Sequence, residues 1–236
     1  MTDGISTAQA AGSWRVVPIR LDLDQKSRSG SITLHNEGDA PVNLQMRAVQ
    51  WKQDAQGKDQ YEESAELVYF PKILTLPPGE SRVLRSGINI PATSQEKTFR
   101  LFIEELPAPR QSEGAAVAIA VRFGVPVFVA PLKPEMRGEV GALTLKSDGV
   151  ELPVRNLGNV HFRIQALYLV GRDEAGVELF RQKTDGWYLL AQAERLYSLP
   201  FPPEGCGKAV TLEVLINTDK GNFSTKEKLP AGLCRP

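Results

Sequence analysis

Residues 115–131 read Ala-Ala-Val-Ala-Ile-Ala-Val-Arg-Phe-Gly-Val-Pro-Val-Phe-Val-Ala-Pro, a long apolar stretch with a single charge. At a period of two, Val117, Ile119, Val121, Phe123 and Val125 fall on one side, and Ala118, Ala120, Arg122 and Gly124 on the other. Successive side chains of a strand point to opposite faces, so this alternation of large with small or polar residues predicts a half-buried strand. The large face reads equally as sandwich core or as surface offered to another protein.

Outward from this stretch, the first half of the chain breaks into short strand-like runs separated by turn chemistry. Trp14–Asp24 reads as one strand, placed at an edge by Pro18. Ser29–Leu34 and Val42–Lys52 alternate, with His35-Asn36-Glu37-Gly38-Asp39-Ala40-Pro41 as the turn between them. Asp54–Glu63 is polar and predicts a loop, and Leu67–Leu74 is apolar around Pro71. Leu76-Pro77-Pro78-Gly79-Glu80 predicts a tight turn into Ser81–Ile90; Thr98–Leu106 follows, then a loop at 108–114. About seven short strands with no helical period predict an antiparallel sandwich of the immunoglobulin type. Pro131-Leu132-Lys133-Pro134 reads as a stiff connector.

The second half looks like a weaker copy of the first. Leu34-His35-Asn36-Glu37-Gly38 and Val154-Arg155-Asn156-Leu157-Gly158 share a pattern at an offset of 120, and Leu76…Glu80 is echoed by Leu190…Glu194 at 114. The echo predicts strand, turn, strand for Trp187–Tyr197, which otherwise passes for an amphipathic helix. The chain is therefore expected to be all-β, with a tail over 1–13 and two immunoglobulin-like sandwich domains near 14–131 and 136–236.

The 236 residues carry 28 basic and 28 acidic side chains, which points to neither nucleic acid nor an anionic membrane as partner. No apolar run approaches the ~20 residues of a spanning helix, so no membrane insertion is expected. The N-terminal residues show no basic or apolar leader regions, although Ala8-Gln9-Ala10 has the small-x-small form of a signal cleavage site. The only two histidines, His35 and His161, fall one per expected domain, in or beside polar turns. A metal site or a Ser-His-Asp arrangement needs such groups to converge. Glu104 and Glu105, as strand neighbours, point to opposite faces. No phosphate loop, paired-cysteine motif or nucleophile elbow is present. No enzyme, cofactor or metal is expected. Cys206 and Cys234 match no zinc or redox spacing; they read as one disulfide in an oxidising compartment, or as two small apolar residues in a reducing one.

In this order the segments resemble the periplasmic chaperones of chaperone–usher pilus assembly. Val17-Pro18-Ile19-Arg20 resembles the family's first strand with its basic cleft residue. Leu76-Pro77-Pro78-Gly79-Glu80 followed by Arg85 is similar to its Leu-x-Pro-Gly turn. Ile90-Pro91, Glu96, Phe99 and Glu105-Leu106-Pro107 follow its "Pro…Glu-Ser-x-Phe…Glu-Ile-Pro" run, and Val117–Pro131 resembles its donor strand. The likeness is ordered over 14–131 and looser over 136–236, where it rests on Asn156, Ile216-Asn217-Thr218-Asp219 and the late cysteines.

The resemblance implies a periplasmic chaperone, with its leader absent or removed. Such a chaperone lends a strand to incomplete pilus subunits and delivers them to an outer-membrane usher. It implies Val117, Ile119, Val121 and Phe123, with Val125 as a further position, as the donor residues. It tips Cys206 and Cys234 toward a disulfide, and the exposed strand implies self-association when free. The family's basic pair, which holds the subunit's C-terminal carboxylate, is only half matched. Arg20 stands for the arginine, but Pro126 occupies the lysine position. Arg20 alone, Arg122 as a substitute, or no anchor at all are the three outcomes, the last suiting an archaic or alternative branch. Ala130 replaces the arginine of the family's interdomain cluster, leaving Glu96 and Asp219 as its acidic members. The competing reading is a structural or adhesive sandwich, such as a pilus subunit. A subunit carries an alternating apolar N-terminal arm, which residues 1–13 do not form.

Overall fold

A computed structural model describes residues 13–91, 93–106 and 120–233. Residues 1–12 of the expected tail 1–13, the donor positions Val117 and Ile119, and Cys234 lie outside the described residues. The described chain is built of strands, with no α-helix and one 3-10 turn at Cys206–Lys208. In the first half the strands are β1 (Trp14–Val17), β2 (Leu21–Leu23), β3 (Ser29–Asn36), β4 (Val42–Gln53), β5 (Asp59–Glu63), β6 (Leu67–Phe70), β7 (Ile73–Leu76), β8 (Ser81–Ile88), β9 (Lys97–Leu106) and β10 (Arg122–Val129). They form two sheets, β1-β3-β8-β6 and β2-β10-β9-β4-β5, with β7 paired to β4 in the second. Between the sheets lies a core that includes Ile32, Leu34, Leu44, Leu84, Leu101 and Ile103, all fully buried.

Two expected strands are each two strands. Trp14–Asp24 divides at Pro18-Ile19-Arg20, so β1 joins one sheet and β2 the other. Leu67–Leu74 divides at Pro71, with β6 in one sheet and β7 in the other. Both crossings sit at a proline, which has no N–H for a ladder and interrupts it. The expected loop 54–63 is also corrected. Asp54 Oδ1 accepts the N–H groups of Gln56 and Lys58 to make a turn, and Asp59–Glu63 then continues as β5.

The second half contains β11 (Gly138–Val140), β12 (Thr144–Leu145), β13 (Gly149–Asn156), β14 (Phe162–Arg172), β15 (Glu178–Asp185), β16 (Tyr188–Leu189), β17 (Glu194–Pro200), β18 (Thr211–Thr218) and β19 (Gly221–Lys228). One sheet joins β11, β12 and β17 to β13; the other runs β15-β14-β18-β19, with β16 on β14. Trp187–Tyr197 is strand, turn, strand. Phe162, Ile164, Leu167, Leu169 and Val214 are fully buried in this core. The described chain divides into two compact units, and 52–60 and 93–96 group with 131–236 in the second.

The internal echo has a physical basis. Asn36 is fully buried; its Nδ2 donates to the carbonyls of Ala40 and Leu76, and its Oδ1 accepts the Gly38 N–H. Asn156 is 1% exposed and does the same with Val160, Leu189 and Gly158. In each unit one asparagine closes its own turn and ties it to a distant strand. The equivalence pairs Leu76 with Leu189, so the true offset is 113, one less than read from the sequence.

Candidate functional site

The candidate site is an edge of β10. On one side β10 pairs antiparallel with β9 along its whole length, from Arg122 opposite Glu104 to Val129 opposite Lys97. On the other side β2 covers only Val127, Phe128 and Val129, in parallel. Among the described residues, no strand covers 122–126 on that side. β2 is short because the chain enters it from the crossing at Pro18-Ile19-Arg20.

Hydrogen-bond phase decides what this edge displays. The Glu105 N–H donates to the Val121 carbonyl at 2.9 Å, so odd residues of β10 bond to β9. In an antiparallel ladder the alternate residues direct their N–H and C=O away. Arg122 and Gly124 therefore present backbone groups outward. Pro126 presents a carbonyl only, so no N–H is stranded there. Arg100 Nη1 donates to the outward Gly124 carbonyl at 2.9 Å.

The side chains grade along the strand. Val125 is 2% exposed and belongs to the core of the first unit. Phe123 and Val121 are half-buried at the margin of that core, and the Phe123 ring meets Trp14 edge-on at 4.7 Å. The inward face of β10 thus runs from closed core toward the surface as the strand is followed back to Val121.

On the opposite face Arg122 pairs with Glu104 at 2.8 Å, and its guanidinium lies 3.7 Å from the Phe102 ring centre. Pro126 stands opposite Arg100, whose guanidinium stacks over Trp51 at 3.8 Å. Arg100 is thus a cation beside Pro126 that the sequence reading missed. Only the β9–β10 register brings the two together, and no local pattern signals it. Arg20 lies in the crossing before β2 and is bonded to Asp22 at 2.8 Å; both side chains are well exposed. Exposed pairs of this kind are worth roughly 0–1 kcal/mol.

Glu96 and Asp219 both lie in the second unit. One Glu96 carboxylate oxygen accepts the His161 backbone N–H at 2.8 Å and meets His161 Nδ1 at 2.7 Å, and both side chains are buried. Asp219 accepts the Arg163 N–H at 2.7 Å. The two acids thus hold alternate residues at the start of β14. His161, which the sequence places beside a polar turn, is 2% exposed. His35 meets Ser81 in an exposed contact of the first unit. Cys206 is buried in the second core. Among the described residues, no group of three or more His, Cys, Asp or Glu is arranged to hold a metal, and no helix is long and apolar enough to cross a membrane.

The family described as pili and flagellar-assembly chaperone, PapD N-terminal domain, matches residues 14–135. No curated protein matches at the level of sequence. Among solved structures, the fold is similar to the CsuC–CsuE chaperone–tip adhesion subunit pre-assembly complex from archaic chaperone–usher Csu pili of Acinetobacter baumannii. That match has a TM-score of 0.62 and 19% identity, over 91% of this chain and 97% of that one. The Salmonella enterica SafA pilin–SafB chaperone complex gives a TM-score of 0.57 and 16% identity, over 94% and 99%. The E. coli chaperone DraB gives 0.57 and 16%, over 93% and 100%.

Proposed function

Because this chain belongs to the pili and flagellar-assembly chaperone family, we propose that it works in the periplasm, capturing incomplete pilus subunits on the edge of β10 and delivering them to an outer-membrane usher. The observation that carries this reading is the half-covered edge: β2 protects Val127–Val129 and leaves 122–126 without a strand among the described residues. A subunit strand added there gains the outward backbone groups of Arg122 and Gly124. The donor side chains are Val117, Ile119, Val121 and Phe123. Val125 is withdrawn from that set, because its burial commits it to the chaperone's own core. When no subunit is bound, the same edge pairs with a second copy, since open apolar edges associate.

A strand on 122–126 is collinear with β2 and ends where Arg20 precedes it. This favours Arg20 over Arg122 as the anchor for the subunit's terminal carboxylate, because Arg20 stands at the end of that added strand and Arg122 does not. Arg100 adds positive charge beside Pro126. Glu96 and Asp219 serve as clamps on the start of β14. Cys206 and Cys234 form a disulfide worth about 3.5 kcal/mol in the chain-entropy model; intact mass rises by about 2 Da on reduction if they are joined and stays constant if they are not.

Co-expression with a pilus subunit that is insoluble alone tests the function. The subunit becomes soluble and co-purifies with the native chaperone. Arg20→Gln weakens capture roughly tenfold, the loss of one charge-assisted contact, and Arg122→Gln changes it little. A subunit equally insoluble with and without this chain contradicts the chaperone reading. Unchanged capture by Arg20→Gln removes Arg20 as the anchor.

A further inference from the structure

The second unit holds a recess that strand capture leaves unused. The turn 54–58 lies directly on β17: Gly57 has φ +72°, and a Cβ added there would stand 2.8 Å from the Arg195 Cβ. This close approach carries Lys58 and Asp59 into a hollow whose other walls are Asp185, Trp187, Arg195 and Tyr197.

The polar groups of the recess divide into two sets. The acids are engaged within the protein. Asp59 accepts the Trp187 indole N–H and a Gln53 amide N–H, each at 3.1 Å, and Asp185 pairs with Lys183 at 2.9 Å. Three donors remain. Lys58 and Arg195 have no carboxylate within ion-pair distance among the described residues. The Tyr197 hydroxyl is buried, with the residue 8% exposed; the Trp187 backbone N–H and the Arg195 guanidinium approach its oxygen, and its own O–H meets no acceptor among the described residues. Burial pushes its phenol above the usual range, so it stays a donor at neutral pH. A buried O–H without an acceptor asks for an explanation. Trp187, 39% exposed, supplies an aromatic wall.

We propose that this recess binds an aromatic carboxylate. Arg195 and Lys58 carry its charge, Tyr197 donates its O–H to it, and Trp187 packs against its ring. A guanidinium presents paired donors that match a carboxylate. With Lys183 paired to Asp185, Asp59 and Asp185 leave one net positive charge around the recess, which suits a monoanion better than a phosphate dianion.

The test is a 15N–1H NMR titration of the full chain with phenylacetate, its neutral isostere phenylacetamide, and inorganic phosphate. The expected result is a saturable shift of the Trp187 indole signal with phenylacetate and none with the other two at equal concentration. Arg195→Gln weakens binding roughly tenfold and Tyr197→Phe several-fold. Lys58→Gln, at an exposed turn position, serves as the second charge variant should Arg195→Gln fail to fold. No saturable response to phenylacetate, an equal response to phenylacetamide or phosphate, or unchanged affinity in the folded charge variants overturns the proposal.

Discussion

Ile119→Asp and Val121→Asp are expected to lower subunit capture about a hundredfold or more while leaving the chaperone folded. Each fully buried apolar side chain contributes roughly 1.5–3 kcal/mol, and the variants also force a charge into the subunit's apolar groove. Val125→Asp is expected to behave in the opposite sense. That side chain is 2% exposed within the core of the first unit, so a carboxylate there unfolds the unit before capture can be measured. The contrast between Val121 and Val125, four residues apart on one side of the chain, separates donor from core. Thermal unfolding and co-purification of the three variants check it. If Val121→Asp or Ile119→Asp unfolds as Val125→Asp does, the whole strand is core and the donor reading fails.

The second large effect is expected at the paired asparagines. Asn156→Ala removes the donor to the Val160 and Leu189 carbonyls and the acceptor for the Gly158 N–H. These contacts are buried, and a buried polar group left without its partner costs about 1–3 kcal/mol. A loss of about 3 kcal/mol follows, confined to the second unit. Asn36→Ala makes the equivalent break, but two of its three hydrogen bonds are only part-buried and water can replace them. Its effect is therefore smaller. Urea denaturation with a probe in each unit distinguishes the two. Equal or negligible losses contradict the view that these residues lock the turns.

The sandwich was legible wherever strands bury one face. Leu34, Leu44 and Leu84 alternate with partly or fully exposed neighbours, and periodicity exposes that directly. β5 was not legible, because four of its five residues are exposed and it carries no apolar alternation. Pro18 and Pro71 mark breaks in the sequence, yet nothing local says that the chain resumes in the opposite sheet. The echo of Asn36 in Asn156 was visible. Its partner register slipped by one because Leu189 and Leu190 are both apolar and both buried. At the edge of β10, the alternation of Val121, Phe123 and Val125 was readable. The point where it passes from core to surface was not, since β2 sets that point from more than a hundred residues earlier. Arg100 was invisible for the same reason: cross-strand register places it against Pro126.

The central claim is that a subunit strand completes the uncovered edge of β10. Backbone amide exchange, measured on the chaperone alone and with subunit bound, tests this most directly. The Arg122 and Gly124 amides point away from β9 and are expected to slow by roughly a hundredfold or more when subunit binds. The Phe128 amide, already covered by β2, is expected to change little. Protection that appears elsewhere on the first unit while Arg122 and Gly124 exchange as in the free protein would contradict the claim.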